Sequence, residues 1–75
     1  MVRTTLEFDL PEPASVTIQV FDVPGRGVAT VVGKKPYPLG RHRVVFDAER
    51  VPAGVYFYRL TVGPFTSTRR MLLIK

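Results

Sequence analysis

The 75-residue chain reads as all-β: a small antiparallel sandwich of six to seven strands with no helix. Three observations predict this. Apolar and polar residues alternate in short runs, the side-chain period of a half-buried strand. The runs recur at intervals of roughly 8–12 residues, the spacing of sandwich strands. Seven prolines and six glycines punctuate the chain so often that no window of about twelve residues keeps helical spacing.

Each element follows from its own residues. In 4–10, Leu6, Phe8 and Leu10 alternate with Glu7 and Asp9. Pro11-Glu12-Pro13 ends that strand, because neither proline can donate to a ladder. In 15–22, Val16, Ile18 and Val20 take one face and Thr17 and Gln19 the other. Val23-Pro24-Gly25-Arg26-Gly27 supplies the dihedral restriction and freedom of a turn. Residues 28–32 form a short apolar run, expected to be buried on both faces, and 33–40 read as the longest loop. A further strand covers 41–47, with Val44 and Phe46 toward the core, and 48–53 connect it onward. The last segment, 54–62, places Tyr56, Tyr58, Leu60 and Val62 on one face and Arg59 and Thr61 on the other. A Gly63-Pro64 turn leads from Phe65 to the terminal Arg70-Met71-Leu72-Leu73-Ile74-Lys75.

Composition narrows the function classes. A chain this short is one domain and buries only about 60–65% of its unfolded surface, so its stability margin is thin. Without cysteine it has neither a disulfide framework nor a thiolate metal site. A single His42 builds no metal site, and no cofactor is expected. The Met71–Ile74 run falls far short of the roughly 20 residues that span a bilayer, which predicts no stable membrane insertion. Nothing resembles a signal peptide. With Met1-Val2-Arg3 leading directly into strand pattern, the chain reads as a module excised from the end of a larger secreted protein.

Charge is unevenly distributed. Residues 1–50 hold seven of the eleven Lys and Arg and all six acids, whereas 51–75 hold four basic residues and no acid. The last quarter is therefore electropositive, which favours anionic partners and steers association.

Pro24-Gly25-Arg26-Gly27 lacks the following helix that a phosphate loop needs, and is a hairpin turn. His42 sits between Arg41 and Arg43 with no marked partner, so a surface-strand histidine is expected rather than a general base. Asp22 and Asp47 stand at strand ends, where aspartate commonly accepts from turn amides. Tyr56-Phe57-Tyr58 could stack bases, but their alternation leaves at most Phe57 exposed, so no nucleic-acid partner is expected. Lys34-Lys35 and the prolines around Tyr37 read as a stiffened, solvated loop. The absence of tryptophan weighs against a glycan platform. The chain is not expected to be an enzyme.

Together, Thr4-Thr5-Leu6-Glu7-Phe8-Asp9-Leu10-Pro11, Val16–Val23, Gly25-Arg26, Gly40-Arg41-His42, Val45-Phe46-Asp47, Gly54-Val55-Tyr56-Phe57-Tyr58-Arg59-Leu60 and the terminal 71–75 run resemble the C-terminal sorting domain of type IX secretion cargo. That family is similar in turn to the Ig-like domain of flagellar hook-capping proteins. The resemblance runs nearly end to end. Its departures are Met1-Val2-Arg3 where the family has Asn-Pro, and Pro24 and Gly27 where it has an aliphatic residue and an acid.

The resemblance implies a single Ig-like sorting domain over 1–75, fused to an N-terminal cargo domain. It implies passage through the periplasm, recognition at the outer membrane by a translocon, removal by a sortase-like peptidase or exchange for a surface anchor, and a cargo that ends at the cell surface or outside the cell. Within it, Gly54 and Tyr56 are expected to shape the final hairpin, and Arg69, Arg70, Leu72, Ile74 and Lys75 to present the recognised feature. The competing readings are a structural or adhesive Ig-like module and an ancillary glycan-binding domain of a secreted protein.

Overall fold

The computed structural model describes residues 3–74. Six strands follow in order: β1 (Arg3–Leu10), β2 (Ala14–Asp22), β3 (Gly27–Tyr37), β4 (Gly40–Asp47), β5 (Gly54–Val62) and β6 (Phe65–Leu73). β1 and β4 form a two-stranded sheet, and the other four form a sheet in the order β3-β2-β5-β6. All pairings are antiparallel. The expected all-β sandwich is present, with six strands.

The core lies between the two sheets. β2 pairs on both sides, and its inward side chains Val16, Ile18 and Val20 are the most deeply buried large ones. Each contributes about 1.5–3 kcal/mol through burial. Facing them are Leu6, Phe8 and Leu10 of β1 and Phe46 of β4, with Ala48 just beyond. Tyr56, Met71 and Leu73 close the core from β5 and β6. Tyr58, Leu60, Val62 and Val44 are half-buried against it. The alternation read from the sequence for β1, β2, β4 and β5 thus sets the inner face of each.

The third strand differs from expectation. Residues 28–32 are not buried on both faces: Val32 is buried, Thr30 is exposed and the others are intermediate. Residues 33–37 are not loop, since β3 continues to Tyr37. β3 lies at a sheet edge and needs only one set of hydrogen bonds, so it tolerates Pro36 within it. Its pairing with β2 shifts register three times, and Lys34 takes a positive φ of 49°. These irregularities carry the strand through a sequence whose Gly, Lys and Pro content reads as loop. The chain reverses at Pro38-Leu39 instead.

His42 also departs from expectation. It lies on the inward-facing side of β4 and is half-buried rather than on the surface. Its ring packs against Phe8 and Tyr37, with centroids 5.3 and 4.9 Å away, and its Nε2 lies 2.7 Å from the carbonyl oxygen of Pro38. The histidine thus fastens the β3–β4 turn to the core.

The turn aspartates behave as expected. The Asp22 carboxylate accepts from the Arg26 amide at 2.7 Å and from Arg26 Nε at 2.9 Å. Asp47 accepts from the Glu49 amide at 3.1 Å. Both are committed to loop closure.

Candidate recognition surface

The β5–β6 hairpin is built on Gly63-Pro64. Gly63 has φ of 55°, and the proline ring holds its own φ near about −65°. That combination matches a type II′ turn, whose twist suits an antiparallel hairpin. From it, nine residue pairs run without a register shift, from Val62–Phe65 to Gly54–Leu73. Side chains alternate across this ladder, so the terminal apolar run divides. Met71 and Leu73 are buried, at 7% and 3% exposure, while Leu72 and Ile74 are 64% and 74% exposed.

The sequence-predicted residues separate into two groups. Gly54 and Tyr56 belong to the fold. Gly54 has φ of 152°, and a Cβ there would meet only ordinary contact with the Tyr56 ring at 4.0 Å. Backbone conformation, not space, asks for glycine. Tyr56 is buried, and its hydroxyl donates to the Pro52 carbonyl at 2.6 Å. A tyrosine that reaches back to the backbone a few residues upstream is the tyrosine-corner device of Ig-like sandwiches. It ties the β4–β5 connection to the start of β5.

Arg69, Arg70, Leu72 and Ile74 form the second group, all exposed. Arg69 faces the inner side of the sheet beyond the covering strands. There it borders an open cleft of about 400 Å³ with Glu7, Phe8, Asp9, Tyr58, Leu60 and Ser67. Arg70 is on the outer side, directly across from Phe57, and Leu72 lies across from Val55. Lys75, also expected here, lies outside the described residues.

The outer face of the four-stranded sheet holds residues that the sequence reading did not assign to the site. Phe21 and Phe57 stand opposite one another. The Arg59 guanidinium lies 4.5 Å from the Phe21 ring centroid, and its Nη2 donates to Gln19 Oε1 at 3.2 Å. Arg59 and Arg70 thus flank an aromatic pair beside Val55 and Leu72. β5 and β6 contain no acidic residue. Glu7 and Asp9 are engaged elsewhere, with Arg43 at 3.3 Å and Arg41 at 3.2 Å on the β1–β4 sheet. Strand register across β2, β5 and β6 creates this face, and a single strand read alone cannot reveal it.

Among the described residues no three His, Cys, Asp or Glu side chains gather into a group that could hold a metal. Among those residues, too, no helix is long and apolar enough to cross a membrane. What the surface offers is an exposed edge strand, an apolar tip and, on the outer face, arginines with no acidic residue beside them on β5 or β6.

The family of secretion-system C-terminal sorting domains matches residues 2–75, nearly the whole chain. The protein belongs to that family. The sorting domain is a C-terminal signal for type IX secretion, and the expected resemblance is therefore correct. No curated protein and no solved structure matches the chain. A type IX signal directs its protein to the cell surface or the extracellular space, as part of a cargo protein.

Proposed function

We propose that this sorting domain is a non-catalytic targeting module whose β6 strand is the element the outer-membrane translocon reads. The cargo is fused ahead of residue 1, crosses the periplasm, and is parted from the domain by a sortase-like peptidase. The recognised residues are Arg69, Arg70, Leu72, Ile74 and Lys75, held in place by Gly54 and Tyr56.

The observation that carries this reading is the division of the terminal run. Met71 and Leu73 anchor β6 in the core, while Leu72 and Ile74 are held out beside Arg70. These exposed aliphatic side chains, Leu72 within β6 and Ile74 just past its last residue, have no folding role that requires their exposure. Together with arginines they form an amphipathic feature that a receptor can distinguish from an ordinary terminus.

The test uses surface variants, since truncating β6 would remove Met71 and Leu73 from the core. A reporter carries the domain with Arg69 and Arg70 changed to Ser, and Leu72 and Ile74 changed to Thr. The expected result is a folded domain with wild-type melting behaviour and a loss of export. Export at the wild-type level from the fourfold variant would remove β6 as the recognised element. The structural or adhesive alternative predicts instead that the isolated domain self-associates, which sedimentation at high concentration measures.

A further inference from the structure

We propose that the free edge of β6 takes up an extended, acidic segment of a partner protein as a fifth strand of the β3-β2-β5-β6 sheet. The inference rests on the reading of β6 as the recognised element and adds the chemistry of what recognises it.

The hairpin fixes which backbone groups are available. In a two-residue β-hairpin the closing residues, here Val62 and Phe65, form a hydrogen-bonded pair, and such pairs alternate along an antiparallel ladder. With the unbroken register of β5 and β6, the odd-numbered residues from Phe65 to Leu73 bond toward β5. The amides and carbonyls of Thr66, Thr68, Arg70 and Leu72 therefore point outward, along an edge that pairs with no other strand of the sheet. A strand laid there satisfies those groups, as in strand addition generally.

The two edges of this sheet are treated differently. β3, at the far edge, is interrupted by Pro36, by register shifts and by Lys34 at positive φ. Such features keep edges from pairing. β6 has no proline, no glycine and no register shift over nine residues. An edge so regular is a pairing site unless something opposes it.

Charge selects the occupant. Arg69 on the inner side and Arg70 on the outer side flank the middle of the edge, and β5 beside it carries Arg59. A second copy paired through β6 would bring two more arginines to the same seam, and like charges opposed across strands destabilise pairing. An incoming strand with acidic side chains opposite Arg69 and Arg70, and apolar ones opposite Leu72, meets complementary groups on both faces.

The test uses the 75-residue chain and three synthetic peptides of alternating Val and Thr: one with two adjacent Glu at its centre, one with two Lys, and one uncharged. Amide chemical shifts and hydrogen exchange locate binding. The Glu peptide is expected to slow exchange at Thr66, Thr68, Arg70 and Leu72, to shift β6 more than β1 or β3, and to bind more tightly than the Lys peptide. R69S and R70S should each weaken the Glu peptide about two- to fivefold, the range of single exposed charge pairs. T68P removes an outward amide without touching the β5 ladder, so it should remain folded and lose protection along the edge.

Equal binding of all three peptides, or protection confined to another edge, would overturn the proposal. So would undiminished binding to folded T68P; should that variant not fold, R69S and R70S still decide. Because this assay needs no secretion, its failure is distinct from failure of β6 as the translocon's target, which the export experiment reads separately.

Discussion

Tyr56 is where burial and hydrogen bonding converge, and replacing it tests how the hairpin is held. The residue is 7% exposed and pairs with Asp22 of β2 and Met71 of β6, and its hydroxyl reaches the Pro52 carbonyl at 2.6 Å. Truncation to alanine removes a large buried aromatic and should cost about 3–5 kcal/mol. At roughly 0.05–0.15 kcal/mol per residue, a domain of this size has about 4–11 kcal/mol in total. Tyr56→Ala should therefore lose from about a quarter to all of the domain's stability. Tyr56→Phe keeps the ring and deletes only the hydroxyl, so it should cost about 0.5–1.5 kcal/mol, lowering Tm by about 4–8 °C for each kcal/mol. Urea titration at constant temperature and a thermal melt would give both values. A cooperative Tyr56→Ala variant within about 1 kcal/mol of wild type would refute the placement of this residue as a core closure. A Tyr56→Phe variant as stable as wild type would refute the role given to the Pro52 hydrogen bond.

Other positions bear on the same account. Leu73→Ala should cost about 2–5 kcal/mol in denaturant unfolding, whereas Leu72→Ala, one residue away but exposed, should stay within about 0.5 kcal/mol. Gly54→Ala forces a side chain onto a backbone at φ 152° and should cost about 1–3 kcal/mol; an unchanged melt would show that the strand start relaxes freely. Asp22→Ala should cost about 1 kcal/mol by freeing the Arg26 amide, and Asp22→Asn should recover part of it because its side-chain oxygen still accepts.

The fold was legible wherever alternation was clean. Leu6, Phe8 and Leu10, then Val16, Ile18 and Val20, declare their inward faces because each strand has one buried and one wetter side. β3 was not legible: an edge strand tolerates Pro36 and bulges that in a central strand would end pairing, so its second half resembles a loop. His42 misled for a related reason. Flanked by arginines, it looks solvated, yet alternation along β4 turns its neighbours outward and the imidazole inward to Phe8 and Tyr37.

The candidate surface was half legible. The basic, apolar end of the chain is visible in order of residues, and the split between Met71 and Leu73 on one side and Leu72 and Ile74 on the other follows from strand period alone. The cation–aromatic arrangement of Arg59, Phe21 and Phe57 was not visible, because it depends on the register between strands nearly forty residues apart. Distances of that kind are set by the whole sheet, and only the assembled structure reports them.

The most direct test of the central claim is export of a periplasm-directed fluorescent reporter carrying residues 1–75 at its C-terminus. It would be made in a host with type IX secretion and in a matched host lacking the translocon. The account predicts reporter outside the cell or on its surface only in the competent host. Folded reporter retained in the periplasm of both hosts would contradict it.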